Sequence, residues 1–280
     1  MVFIYSWTAA LGAIIGGSGF PPILPTLYAM GASGLISLAV YLYNDVIDRE
    51  MDLASPNVSK KERPLASGVV PVSHAMRLIY ICATLGLALC LMINITSFLL
   101  GLTFFVLFSL YSFPSIRLKS KYVVKSLVTS TGPSWTMTIG GYAASGVFAT
   151  QLMFAAVLQA AFMFFVLPAL ADSFDLEEDK AFGMKTMAMT LSWTQKVHLM
   201  FVALAIVFTA SLAGFAYLGF NYVLPITVTA FSVFLVKEVA SLYKGYDESK
   251  TRRVRKIAYA YFTFLPVFMA VGNLNLATLL

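Results

Sequence analysis

Asn44-Asp45-Val46-Ile47-Asp48-Arg49-Glu50-Met51-Asp52 closes the apolar stretch 23–44 with a carboxylate pattern, D-x-x-D-x-x-x-D. The pattern returns as Asp172, Asp175 and Asp179 behind the apolar stretch 151–171. In a helix these positions are i, i+3 and i+7, so each copy lays three acids along one helix face. Clustered anions beside oily sequence need a counter-charge. One spacing in two copies, each followed by cations, is improbable as accident. Hard carboxylate oxygens suit Mg²⁺, which keeps several waters and binds through a few carboxylates plus substrate phosphates.

Composition sets the surroundings of that chemistry. With 59% hydrophobic and 11% charged residues, the chain reads as an integral membrane protein, all-α and multi-pass. Apolar runs near the roughly 20 residues that span a bilayer occur at 3–19, 23–44, 73–93, 96–113, 122–142, 151–171, 193–217, 220–243 and 253–278. Nine transmembrane helices are expected. All 19 Lys and Arg then fall in or beside the connections after spans 2, 4, 6 and 8, and the acids share that side. Such segregation fits the positive-inside rule; it puts the N-terminus and the even connections in the cytoplasm and the C-terminus outside. The active face of a cell-membrane protein is thus expected to be cytoplasmic. The net charge of +6 reports orientation and anionic membrane lipids, and no nucleic-acid partner is expected.

Cys82 and Cys90 lie in one apolar run, where they read as small core hydrophobes, and His74 and His198 have no ligand spacing around them. No linker divides the chain, so residues 1–280 read as a single domain. Its two halves, about 1–120 and 121–245, each carry an acidic motif at the end of their second span. They form two four-helix pseudo-repeats, with the ninth helix as an addition. Such a parallel repeat brings the acidic faces together across a central cavity. No residue pattern points to a particular oligomeric state.

In the first connection, Asn44 and Asp48 are i, i+4 and suited to share a metal. Lys61 and Arg63 of Lys61-Glu62-Arg63-Pro64-Leu65-Ala66-Ser67-Gly68 lie beyond the acids, where phosphate oxygens would be met. Arg offers the planar fork that phosphate favours. In the later connection, Asp172-Ser173-Phe174-Asp175-Leu176-Glu177-Glu178-Asp179 leads to Gly183-Met184-Lys185-Thr186, again acids first and a cation after. Glu177 and Glu178 fall off the acidic face and are expected to be solvated.

N-D-x-x-D-x-x-x-D followed by K-x-R-P-L-x-S-G, a second D-x-x-D-x-x-x-D followed by G-x-K-T, and nine spans together resemble the UbiA superfamily of intramembrane prenyltransferases, over nearly the whole chain. The resemblance implies that Asn44, Asp45, Asp48 and Asp52 with Asp172, Asp175 and Asp179 hold two Mg²⁺ ions, which in turn hold the diphosphate of a polyprenyl donor. It also implies diphosphate contacts from Arg63, Lys185 and a tyrosine with a downstream lysine. Here that segment is Tyr111-Ser112-Phe113-Pro114-Ser115-Ile116-Arg117-Leu118-Lys119, longer than the family's Y-x-x-x-K form, so Arg117 and Lys119 both stand as candidates. Relatives usually carry a polar stretch with an Arg-Pro before the first span. This chain begins directly at Met1-Val2-Phe3-Ile4, so an acceptor or lid contact is expected to be missing.

The implied chemistry is ionisation of an allylic C–O bond once metal and cations have neutralised the diphosphate. A lipophilic acceptor then traps the cation, and an Asp of the second motif takes the proton. The acceptor is either an aromatic acid such as 4-hydroxybenzoate, in quinone synthesis, or geranylgeranylglycerol phosphate, in ether-lipid synthesis; the form of the motifs looks more like an archaeal-type member. Lys250, Arg252, Arg253, Arg255 and Lys256 suit an acceptor phosphate or anionic lipid equally. The alternative from another class is a cation-binding transporter or channel, since intramembrane acids often mark ion pathways. Against it, the acids sit at one membrane face. Phosphatidyltransferases also use membrane Asp clusters, but the D-G-x-x-A-R opening of their motif is absent.

Overall fold

The computed structural model describes residues 2–55 and 57–275, and the described residues are built from helices and connecting turns without a strand. In chain order the helices are α1 (Val2–Gly16), α2 (Ile23–Ile47), α3 (Arg49–Ala54), α4 (Val58–Lys61), α5 (Val72–Ile93), α6 (Ile95–Ser112), α7 (Tyr122–Ser145), α8 (Thr150–Leu170), α9 (Leu176–Ala181), α10 (Met187–Thr190), α11 (Trp193–Tyr217), α12 (Val223–Ala240) and α13 (Glu248–Gly272). Single 3₁₀ turns cover Leu118–Ser120, Asp172–Phe174 and Ser241–Lys244.

The nine expected spans correspond to α1, α2, α5, α6, α7, α8, α11, α12 and α13. Seven of these, all but α1 and α7, are long and apolar enough to cross a bilayer. Helix α1 has 15 residues, about 22 Å at 1.5 Å per residue, short of the roughly 30 Å hydrocarbon core. Helix α7 is long enough at 24 residues, but Ser126, Ser130, Ser134, Thr136 and Thr138 make it polar, and the bundle buries all five. The last expected span, 253–278, begins earlier, at Glu248. Asp247 caps the helix by accepting the Lys250 N–H at 3.0 Å, so the basic run lies on the first turns of α13. The end of that expected span, 276–278, lies outside the described residues.

Two hydrophobic clusters share α1 and α7. One joins Leu11, Ile15 and Met137 to α8, α11, α12 and α13; the other joins Tyr5 and Ile139 to α2, α5 and α6. The seam between α1 and α7 is backbone against backbone. A Cβ added at Gly12 would sit 2.0 Å from the Met137 carbonyl oxygen, and one at Gly140 would sit 1.9 Å from that of Ala9. Small residues permit this approach where lipid supplies no hydrophobic drive to association. The Thr8 and Thr136 hydroxyls share a hydrogen bond of 2.7 Å across the same seam. Cys82 and Cys90 are buried free thiols, as expected of small core residues.

Candidate active site

Neither acidic motif lies on one continuous helix. Asp48 takes φ −87° and ψ 0° as the last residue outside α2 and the first before α3, so the chain bends between Asp45 and Asp52. In the second motif, Asp172 opens a 3₁₀ turn, Asp175 is the junction to α9, and Asp179 lies within α9. The reason is local: α8 ends at Leu170, and the Ser173 hydroxyl donates back to the Pro168 carbonyl at 2.7 Å. The expected straight carboxylate face becomes in each case a bent one that curls around a cavity.

That cavity, of about 280 Å³, is lined by Asn44, Asp48 and Asp52 from the first motif and by Asp175, Glu178 and Asp179 from the second. Arg63, Lys119, Lys60 and Lys125 also line it, with Tyr41, Phe108, Tyr111 and Thr129 on its wall. Asp45 and Asp172 stand just behind. Lys119 pairs with Asp48. Arg63 reaches Asp52 at 2.8 Å and Asp45 at 3.5 Å. Lys125 lies 3.2 Å from Asp172 and 3.1 Å from Asp179. Lys60 crosses from the first connection to the second, 3.0 Å from Asp175 and paired with Glu178. Asn44 accepts the Ser112 hydroxyl at 2.5 Å, which orients its amide.

Burial tunes these groups. It draws Lys119 below the usual lysine range despite the opposing pull of Asp48. It also raises the Asp52 carboxyl, against which Arg63 acts. Burial would lower Lys60, but Glu178 and Asp175 outweigh it and hold the ammonium above its ordinary value.

Among the residues expected from sequence, the structure brings Asn44, Asp48, Asp52, Arg63, Tyr111, Lys119, Asp175 and Asp179 to the cavity wall. Between the two candidates after α6, Lys119 is the one that faces the cavity. Arg117 adopts a left-handed φ of 43° and turns its guanidinium to the Met51 sulfur, away from the carboxylates. Lys185 does not line the cavity. It is exposed, and its N–H donates to the Ser120 carbonyl at 3.3 Å. Lys61 is likewise exposed, and its neighbour Lys60 takes the inward place. Glu178, expected in solvent, is 8% exposed because Lys60 and Ser55 hold it. Lys125 was legible only as one more orientation-setting cation. Its signal was its position one turn inside α7, too deep for a loop residue. Lys196, buried in α11, donates to the Ser173 hydroxyl at 3.2 Å behind the second motif.

With this geometry in view, the comparisons with known proteins agree with one another. The profile of the UbiA prenyltransferase family matches residues 5–268. The chain is 25% identical over 253 residues to the digeranylgeranylglyceryl phosphate synthase of Sulfurisphaera tokodaii, covering 89% of this chain and 85% of that one. It is 27% identical over 229 residues to a 4-hydroxybenzoate octaprenyltransferase of Coxiella burnetii, covering 79% and 74%. A UbiA homologue from Archaeoglobus fulgidus, solved with DMAPP and Mg²⁺, shares the fold with a TM-score of 0.71 at 16% identity over 96% of both chains. The match over almost the whole chain, joined to seven long apolar helices and a polar cavity at one end of the bundle, makes this an integral membrane enzyme that transfers prenyl groups, a member of the UbiA prenyltransferase family.

Proposed function

We propose that this chain transfers a polyprenyl group, geranylgeranyl-like in length, from its diphosphate to a lipophilic acceptor with the help of Mg²⁺. The observation that carries the reading is a single cavity walled by two bent carboxylate motifs and by four cations drawn from three separate segments. The family assignment takes the place of the cation-transporter alternative.

The donor set suits a hard divalent ion. Carboxylate and amide oxygens of Asn44, Asp48 and Asp52 share one cavity with those of Asp175 and Asp179, Asp45 and Asp172 stand behind them, and the buried Asp172 Oδ2 has no hydrogen-bond partner among the described residues. The Mg²⁺ and DMAPP bound to the A. fulgidus homologue support the same assignment. Two ions, one per motif, are the count we carry forward. When bound, the metal supplies charge neutralisation for the departing diphosphate.

The remaining tasks fall to side chains. Arg63 offers two parallel N–H donors to phosphate oxygens, and Lys119, Lys60 and Lys125 hold ammonium groups on the same cavity. All four sit on carboxylates here, and arriving metal and diphosphate would exchange those partners without adding a charge that lacks a counter-ion. Tyr41, Phe108 and Tyr111 turn aromatic surface toward the space where the allylic cation forms. Asp175, whose side chain at 41% exposure is the least enclosed of the second motif, is our candidate for the acceptor proton.

We further propose a single domain of two pseudo-repeats in the cell membrane with the cavity toward the cytoplasm, because every Lys and Arg falls in or beside the connections at that end. Ser59→Cys and Ser249→Cys in a background without Cys82 and Cys90 are expected to react with impermeant thiol reagent from the cytoplasmic side only, and Ser145→Cys from the opposite side. The chemistry is tested by diphosphate release from geranylgeranyl diphosphate with a panel of arene and glycerol-phosphate acceptors. Release that depends on both Mg²⁺ and one acceptor is expected. Turnover that persists in excess EDTA would sink the metal assignment, and release with no acceptor of the panel would sink the transfer reading.

A further inference from the structure

Tyr41 stands on the wall of the carboxylate cavity, and its hydroxyl oxygen lies 2.8 Å from that of Tyr5. On α2 it precedes Asn44 by three residues, so it sits about 4.5 Å deeper along the helix axis than the carboxylate end, at 1.5 Å per residue. Tyr5 comes from α1 and is 3% exposed, behind that wall. Its ring packs on Phe104, and Phe104 packs on Phe108, a second wall residue. A Cβ added at Gly132 of α7 would sit 2.8 Å from the Tyr5 hydroxyl oxygen, so that oxygen is seated against α7 at a residue without a side chain.

Two hydroxyls that share one hydrogen bond use one hydrogen and leave the other over. Neither oxygen has a further hydrogen-bond partner among the described residues. Were Tyr41 the donor, the spare hydrogen of Tyr5 would be shut between α7 and the aromatic layer, and a buried donor without an acceptor is costly. With Tyr5 as donor, the spare hydrogen belongs to Tyr41 and opens on the cavity. The second arrangement is favoured, and it aims one O–H donor into the cavity from an immobile support. The other wall phenol differs, because Tyr111 has the Thr129 hydroxyl at 3.3 Å.

The reactants can be sorted by what they offer such a donor. The diphosphate belongs with the cations and carboxylates at the other end of the cavity, and a prenyl tail is hydrocarbon without a lone pair. The acceptor remains, and each candidate acceptor carries a hydroxyl at its nucleophilic atom or beside it. We propose that Tyr41, oriented by Tyr5, donates a hydrogen bond to the acceptor's hydroxyl oxygen and so places the nucleophile against the allylic carbon. An alcohol oxygen has two lone pairs, so one takes this bond while the other attacks. The inference rests on the prenyl-transfer reading and narrows it to acceptors whose nucleophile is a hydroxyl oxygen or a ring carbon next to one. It gives the Tyr41 hydroxyl a task separate from that of its ring.

The test is a binding measurement on the purified full-length chain in phosphatidylcholine nanodiscs, with two probe pairs that differ by one hydroxyl. These are 4-hydroxybenzoate against benzoate, and geranylgeranylglycerol phosphate against its analogue with hydrogen in place of the free glycerol hydroxyl. In at least one pair the hydroxyl probe is expected to bind about tenfold tighter, the scale of one neutral hydrogen bond in an enclosed site. Tyr41→Phe, which keeps the ring, should bring that pair within about twofold. Tyr5→Phe removes the orienting donor and should leave a smaller preference, and Tyr111→Phe should leave it whole. In turnover, Tyr41→Phe and Tyr5→Phe should raise the KM for the acceptor more than that for the donor, a split that general loosening of the bundle would not produce. Retained binding of geranylgeranyl diphosphate certifies that each variant is folded. A preference that survives in Tyr41→Phe, or is absent from the unmodified chain for both pairs, overturns the proposal. So does a preference lost in Tyr111→Phe instead. Failure of the underlying reading looks different: the hydroxyl preference and its loss in Tyr41→Phe would both be seen, yet no acceptor would trigger diphosphate release.

Discussion

The two acidic motifs share a spacing but not an environment. At the first, Arg63 and Asp45 form a pair in which each side chain is about two-fifths open to solvent (40% and 39%). At the second, Lys125 is 13% exposed while Asp172 and Asp179 are 10% and 4% exposed. The difference follows from where each cation originates. Arg63 arrives on a connection that lies over the cavity, and Lys125 projects from α7, inside the bundle. Exposed ion pairs are worth little because water and salt screen them. Enclosed ones tolerate no loss of a partner, because the remaining charge has nowhere to go. The Arg63–Asp45 pair is therefore the easier of the two to exchange for metal and diphosphate and the Lys125 pair the harder, while each motif also holds the opposite case, Asp48 enclosed with Lys119 at the first and Asp175 at 41% exposure at the second.

The sharpest way to break this comparison is to remove one cation from each side. Lys125→Met should destabilise the folded chain by about 3–5 kcal/mol, since it strands two buried carboxylates. Arg63→Met should cost less, about 1–3 kcal/mol, because Asp45 stays open to water and only one enclosed carboxylate, Asp52, loses its partner. Thermal unfolding in one detergent measures both, and equal losses would mean the two environments are not distinct in solution. Activity gives the next largest effect. Asp48→Ala is expected to lower kcat/KM by about 10²–10³, the scale of losing one group that stabilises developing charge, while the protein elutes as a folded species with a lowered melting temperature, because the enclosed Lys119 loses its partner. Near-normal turnover at saturating donor would remove Asp48 from the metal site.

A smaller effect sharpens the reading of the exposed side. Arg63→Lys keeps the charge but loses the fork, so kcat/KM should fall by about tenfold and by a similar factor for every acceptor, because ionisation of the donor is common to all. An acceptor-dependent loss would move Arg63 away from the diphosphate. The smallest change is expected at Lys185, which faces solvent outside the cavity. Lys185→Ala should alter kcat/KM by less than about twofold, as surface substitutions usually do. A loss as large as that of Arg63→Lys would show that its connection folds inward once the donor is bound.

The amino-acid order by itself determined the membrane class, the helical architecture and which end of the bundle holds the chemistry. These follow from one-dimensional quantities: the length of apolar runs, the segregation of 19 basic residues, and a carboxylate spacing repeated in two places. It also named most of the carboxylates on the cavity wall, because Asp48, Asp52, Asp175 and Asp179 belong to motifs that can be read locally. Tertiary structure decided which cation meets which acid. Lys119 and Arg117 are two residues apart, as near neighbours as Lys60 and Lys61 are adjacent, and only the left-handed turn at Arg117 and the packing of α4 against the second connection select the inward member of each pair. The burial of Glu178 depends in the same way on Lys60, 118 positions away in the chain. Spacing along one helix fixes direction only while the helix continues. Both motifs bend at their middle aspartate, so the contacts of the charges around them are set by neighbouring helices and not by periodicity.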